Sequence, residues 1–432
     1  MLSRLAHHTS QRLGPHFGQM ARGFGAYGGA ELVSRVVRLA TTVVIARQLA
    51  PAIVGEAALA LTIFELVRVL EKTGTGQRIV SAPDAELAAT CNTVRPLYWW
   101  WTGLLSVVQL LVAAVLGFWF ARPVAGEMLA VLTLVYLFMT GGHIQYHLAM
   151  RAGFTAKLAR ISASQNIADQ LLTAALLLAW PSPWSVVLPK LLTAPLWLIM
   201  VRKAHAWRPD PAAGRLPVRT ILRFSVSILT AEGMATLRTQ GDNLIIAATM
   251  GTSALGTYYF AFNAGLGIVS SLVGAFAAVT FPMLCRAHHG LERIQMLQRV
   301  MLGGIAVFVP LIALQALAAP AYVPFVFGQH WAFAAPLISI LCLAGVPLLA
   351  STITANWLRA EGRVGIDAFS STLSCTAALG GLYLGARSGS IANAACGLVA
   401  GQALVAAYYA ARILLPAIRS TASPRFDKET LA

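Results

Sequence analysis

The sequence predicts an all-α polytopic membrane protein with about twelve transmembrane helices, arranged as two six-helix lobes related by pseudo-two-fold symmetry. Three observations carry this. Of 432 residues, 57% are hydrophobic and only 11% are charged. Soluble domains carry about 25% charged residues, so this chain has too few to cover a water-facing surface. Apolar runs of the roughly 20 residues that a helix needs to cross a hydrocarbon core of about 30 Å recur along the chain. Lysine and arginine fall almost entirely in alternate breaks between those runs, the pattern that the positive-inside rule produces.

Residues 1–23 form a basic tail with Arg4, Arg12 and Arg22 and no acid. The tail lacks an apolar run long enough for a signal-peptide core, and reads either as a transit-like segment or as a cytoplasmic tail ahead of the first span. Spans one to six are predicted at 24–48, 54–76, 97–121, 124–147, 157–180 and 184–202, making an N-terminal lobe over 24–202. A basic, Pro-rich inter-lobe loop follows at 203–220. Spans seven to twelve are predicted at 221–249, 254–282, 297–319, 331–357, 364–385 and 390–415, making a C-terminal lobe over 221–415 ahead of a tail at 416–432. Turn chemistry marks several breaks, including Pro51, Pro181-Ser182-Pro183, Gly251-Thr252-Ser253 and Gly389-Ser390.

The N-terminus, the breaks after even-numbered spans and the C-terminus hold nearly all of the basic residues outside the spans, while the opposite breaks hold Arg122 and Arg387 alone. One miscounted helix would scramble this alternation, so it predicts both termini in the cytoplasm. Aromatic residues from Tyr98 to Trp101, with Trp180, Trp184, Tyr258, Tyr259, Trp331 and Trp357, cluster near span ends, as a headgroup-level belt would. The net charge of +16 is then a record of orientation. Divided by compartment, its excess lies in the cytoplasmic segments, and it is no sign of a nucleic-acid partner.

An even number of spans per half makes the halves parallel repeats about an axis along the membrane normal. A shift of 201 residues pairs Glu31 with Glu232, Ile45-Ala46 with Ile246-Ala247, Gly55 with Gly256, and Pro123 with Pro324. The five cysteines show neither metal nor redox spacing. No Walker motif, dinucleotide fingerprint or Gly-x-Ser-x-Gly occurs, so the chain carries no ATP-binding signature of its own, and no cofactor is expected.

Ionisable residues inside the predicted spans include Glu31, Arg35, Arg38, Arg47, Glu65, Arg68, Asp169, Lys190, Glu232, Arg238 and Asp242. A charge at a helix centre costs about 2.5 to 3.5 kcal/mol on insertion scales, so such residues normally face a bundle interior or a wet cavity. Arg47 and Lys190 lie near outer ends and are expected to snorkel. Glu31, Arg35 and Arg38 share one helical face, and Glu65, Arg68 and Lys72 form a second stripe on span two. Glu232, Thr236, Thr239 and Asn243 share a face of span seven, with Arg238 and Asp242 an i, i+4 pair on a neighbouring face. Asp169 has no basic residue at helical spacing. Two readings are open: internal ion pairs that fix packing, or the lining of a polar cavity, which the concentration on spans one, two and seven favours. His143 and His147, at i, i+4, lack the adjacent Glu and third ligand of a metal site. His288-His289 lies in a basic loop and is expected to be solvated.

The stretch Ile45-Ala46-Arg47-Gln48-Leu49-Ala50-Pro51 with Gly55, and the stretch from Arg238 to Asp242 with Ile246, Gly251, Leu255-Gly256 and Tyr258, resemble the first outer turn and the seventh-to-eighth-span signature of bacterial polysaccharide exporters and O-antigen flippases. Phe281-Pro282 and Trp331 fit the same pattern, while Val54 stands where that family usually has an aromatic. The family belongs to a superfamily with multidrug-and-toxin extruders and lipid II flippases. The resemblance implies a flippase of the inner membrane whose cargo is a polyprenyl-pyrophosphate-linked oligosaccharide, with the tail left in membrane lipid and alternating access provided by rocking lobes. It implies Arg35, Arg38, Arg68 and Arg238 as contacts for the anionic part of the cargo. Glu31, Glu65, Asp169, Glu232 and Asp242 would then be charge partners or carriers of coupling H⁺ or Na⁺. A polysaccharide polymerase and a chain-length regulator are further partners it implies. A cation-coupled multidrug extruder on the same fold and a membrane-embedded sugar-modifying enzyme are the alternatives.

Overall fold

The computed structural model describes residues 34, 36–287, 290–414 and 416. Among them secondary structure is helical throughout, with no strand. Among the described residues, seven helical stretches are long and apolar enough to cross a membrane: Asp84–Trp119, Pro123–Arg151, Trp184–Ala204, Glu232–Arg286, Leu291–Phe327, Gln329–Ala360 and Ile391–Leu414. The 55 residues of Glu232–Arg286 take in predicted spans seven and eight. The four other predicted spans fall on helices over 36–48, Pro51–Arg68, Thr155–Ala179 and Val364–Ala386. Thr155–Ala179, at 25 residues, is long enough to cross at 1.5 Å per residue, and carries the charges that lower its hydropathy. The chain is an all-α polytopic membrane protein.

Several spans are not single helices. Spans seven and eight are two helices within Val218–Ala264, joined at Gly251, whose backbone is non-helical and whose φ of 83° lies where a side chain is strained. The expected break at Gly251-Thr252-Ser253 is thus present, and span eight itself is interrupted at Gly265, after which Leu266–Arg286 begins. Span four divides into Pro123–Leu132 and Val135–Arg151, and span ten into Ala335–Leu343 and Gly345–Ala360 behind a short turn at Gln329–Ala334.

The chain forms two compact units, Met1–Leu49 with Leu59–Gln240, and Ala50–Ala58 with Gly241–Ala432. In the first, Ala149, Leu158, Ile161, Trp197 and Val201 form one core. A second core joins Ile79, Cys91, Val94, Tyr98, Ile144 and Leu148, with Trp207 packed against it. Between hydrocarbon-facing helices little hydrophobic drive remains, and buried hydrogen bonds help to fix the packing. Gln109 shows this: its amide Nε2 donates to the Leu129 carbonyl (2.8 Å) and Thr133 Oγ1 (3.1 Å), while its Oε1 accepts from the Tyr136 hydroxyl (2.5 Å).

In the second unit, Val364–Ala386 and Ile391–Tyr409 meet through small residues. A Cβ on Gly381 or Gly397 would collide with the other's backbone, and Gly401 has the same relation to Ala377. This close approach is the small-residue mode of membrane helix packing. Val269, Leu297, Phe308, Ile312, Leu349, Ile353 and Trp357 form an apolar core. Trp331 is fully buried, with its ring 4.0 Å from that of Phe260. Tyr98, Tyr258 and Trp331, expected in a headgroup-level belt, are core residues instead, whereas Trp99, Trp100 and Trp180 are exposed.

Candidate functional site

Glu31 and Arg35 lie outside the described residues, as do His288 and His289. The stripe on span two is present. Within Pro51–Arg68, Glu65 and Arg68 are one turn apart on a face and form an ion pair at 2.7 Å, and the guanidinium also lies over the Phe64 ring, 5.6 Å from its centroid. Both side chains are partly exposed. The helix then tightens into a turn at Val69–Glu71. That turn aims Glu71 at Tyr98, whose hydroxyl donates to its carboxylate at 2.9 Å. Lys72 follows and binds Glu232 at 2.6 Å, tying the stripe to Val218–Ala264. Glu232 therefore faces a lysine that lies 160 positions away in sequence. Glu71 was not among the sequence candidates, although its position three residues after Arg68 is the available signal.

A second group forms around Asp169. Thr41 donates to the Gln170 carbonyl at 3.1 Å, which seats the helix over 36–48 on Thr155–Ala179. Arg38 lies one turn before Thr41 and is exposed. The Asp169 carboxylate is 3.8 Å from Lys190 Nζ, and its other oxygen has no hydrogen-bond donor among the described residues. Lys190, expected to snorkel, instead lies within ion-pair distance of Asp169, and Asp169, with no base at helical spacing on its own helix, meets one on the next. Their pairing was illegible because the partners belong to different helices.

In the second unit, Asp242 is buried, at 6% exposure. One oxygen accepts from the Asn243 backbone N–H at 2.8 Å and the other from the Tyr258 hydroxyl at 2.9 Å. The kink at Gly251 folds the chain back so that residues 16 apart can meet. The expected i, i+4 pairing of Asp242 with Arg238 is replaced by these neutral donors, and Arg238 is exposed. Two donors to one carboxylate satisfy it without a counter-charge.

His143 is stacked on Tyr98, with ring centroids 3.6 Å apart, and shares a hydrogen bond with Thr75 at 3.1 Å. His147 Nδ1 bonds the His143 carbonyl at 2.8 Å, and its ring fills the space that a Cβ on Gly76 would need. Both imidazoles are thus packing elements. Among the described residues no group of three or more His, Cys, Asp or Glu is placed to hold a metal ion.

A helical membrane fold with paired intramembrane charges is the class that these features define. The chain shares its fold with the lipid II flippase MurJ in an inward closed conformation, at a TM-score of 0.70 and 13% identity, covering 92% of this chain and 90% of that one. It is likewise similar to a multidrug resistance MATE family transporter of the MOP superfamily in an inward-facing conformation, at a TM-score of 0.66 and 14% identity, covering 90% and 96%. These likenesses concern fold. The model of the family described as polysaccharide biosynthesis protein matches residues 44–336, and the chain belongs to that family. Among its relatives, the succinoglycan biosynthesis transport protein ExoT of Rhizobium meliloti (strain 1021) is 24% identical over 366 residues, which cover 83% of this chain and 72% of that protein. The lipopolysaccharide biosynthesis protein WzxC of Escherichia coli (strain K12) is 24% identical over 281 residues, 63% of this chain and 56% of that protein.

Proposed function

We propose that this protein moves a lipid-linked oligosaccharide or polysaccharide precursor across the inner membrane by alternating access, with both termini in the cytoplasm. The family match over 44–336 is the observation that carries the reading. The relative named as a succinoglycan transport protein supports it, as does the fold shared with a lipid II flippase. The physical need is clear: an oligosaccharide pyrophosphate entering hydrocarbon would leave every polar group unsatisfied, and a polar protein route removes that cost.

The arginines divide in this reading. Arg38 and Arg238 are exposed and are assigned, with Arg35, to the anionic part of the cargo, since a guanidinium binds phosphate oxygens in pairs. Arg68 is compensated by Glu65 and releases its charge to cargo only if that pair opens. Coupling to H⁺ or Na⁺ is assigned to Asp242, whose partners among the described residues are neutral. A polymerase and a chain-length regulator are the proposed downstream partners.

The test is surface polysaccharide in cells carrying Arg38→Ala, Arg238→Ala or Asp242→Asn at equal protein level. Loss of polymer with accumulation of the lipid-linked precursor inside is expected. Undiminished polymer in all three would sink the assignments. Restored resistance of a pump-deficient host to cationic dyes, with no effect on polymer, would replace the reading with drug extrusion.

A further inference from the structure

The inter-lobe loop does more than link. Asn92 Nδ2 donates to the carbonyls of Asp210 (2.6 Å) and Gly214 (3.1 Å), and Thr93 Oγ1, whose own proton goes to the Ala89 carbonyl (2.9 Å), accepts from Leu216 N–H (2.8 Å). These bonds pin the loop on the start of Leu87–Ala114. Asp210 turns its carboxylate onto the Ala212 N–H at 3.0 Å. Between loop and helix a cavity of about 610 Å³ remains, lined by Asn92, Arg95, Pro96, Trp99, Pro211 and Arg215 among others, with no acid among its described lining residues. Arg95 and Arg215 are both exposed and have no ion-pair or hydrogen-bond partner among the described residues.

Trp99 also lines a second hollow of about 730 Å³, which continues along the helix past Leu97, Trp100, Leu104 and Val107 and is walled by apolar side chains. Trp100 is 81% exposed, and Leu104 and Val107 are more than half exposed, so this face meets lipid. A cationic pocket at the membrane surface therefore opens onto an apolar furrow, with a tryptophan at the junction, where its ring prefers the headgroup level.

We infer that this pocket binds the headgroup of an anionic phospholipid, with one acyl chain lying in the furrow. Arg95 and Arg215 bind the phosphate, and the helix from Leu97 to Val107 receives the chain. The leaflet is the one bordering the loop, the inner one in the orientation proposed above. The furrow lies open to bulk lipid, where phospholipid is the abundant phosphate-bearing amphiphile, and two uncompensated arginines select an anionic member over a zwitterionic one.

The experiment is native mass spectrometry of the full-length protein in detergent, incubated with phosphatidylglycerol and phosphatidylethanolamine of matched chains. Retained phosphatidylglycerol adducts are expected in excess. The excess should fall roughly fivefold with Arg95→Gln or Arg215→Gln and up to about thirtyfold with both, at about one unit of surface attraction per basic residue. Equal retention of the two lipids by the unaltered protein would overturn the inference, as would an undiminished excess in the double variant. Displacement of phosphatidylglycerol by equimolar polyprenyl phosphate would reassign the site to a polyprenyl lipid and overturn the phospholipid assignment. Should the double variant fail to fold, the unaltered protein decides: its phosphatidylglycerol excess must shrink as ammonium acetate rises, and a flat response counts against the site. None of these readouts involves transport, so their failure is separate from failure of the proposed function.

Discussion

Gly55 and Gly256 lie backbone against backbone: a Cβ on Gly256 would collide with the Pro51 carbonyl and the Gly55 nitrogen, and one on Gly55 with the Thr252 carbonyl. These are the two glycines that a shift of 201 residues superimposes in the sequence. The likeness between the halves is therefore also a contact, in which two helix starts cross where neither has a side chain.

Gly55→Val or Gly256→Val should destabilise the protein by about 1 to 3 kcal/mol, the usual cost of overpacking. Gly274→Ala, where the added methyl meets nothing within 4 Å, should be silent. Thermal unfolding in detergent measures both. A Gly256→Val protein as stable as its parent would mean that the crossing is not close.

The Asp169–Lys190 pair predicts a change of sign. Lys190→Met strands a mostly buried carboxylate, at a cost of roughly 3 to 5 kcal/mol for a fully buried pair and less here, where Lys190 is 32% exposed. Adding Asp169→Asn to Lys190→Met should recover most of that stability. A double variant less stable than the lysine variant alone would contradict the pairing.

Lys72 and Glu232 are more open, with 55% and 34% of their side chains exposed. A double-mutant cycle with Lys72→Met and Glu232→Gln should give a coupling of about 1 kcal/mol or less. The exchanged pair Lys72→Glu with Glu232→Lys should restore whatever export each single reversal removes, scored as surface polysaccharide.

Tyr258→Phe keeps the ring but removes the hydroxyl that donates to Asp242. The expected loss is about 1.5 to 3 kcal/mol, the range for a hydrogen bond to a charged group. Asp242→Asn still accepts from Tyr258 and should cost less stability than Tyr258→Phe, so export loss in Asp242→Asn at normal stability would report on the acid itself.

The helical plan was largely legible because a span is a local property: twenty apolar residues declare themselves whatever surrounds them. Glu65 and Arg68 were legible for the same reason, being neighbours on one helix face. Their companions were not. Tyr98 and Tyr258 looked like headgroup-level aromatics by their place near span ends, and their buried roles depend on which side chains meet across the turns at Val69–Glu71 and Gly251, which the apolar pattern does not encode.

The sequence by itself determined that this chain is a helical membrane protein, roughly where each span lies, and that the spans carry more charge than hydrocarbon tolerates. Only the tertiary structure decided who satisfies those charges: Lys190 for Asp169, Lys72 for Glu232, Tyr258 for Asp242. Burial in hydrocarbon is paid residue by residue and so is written in local composition. A pairing between helices is fixed by packing, which brings together residues whose separation in the chain obeys no helical period.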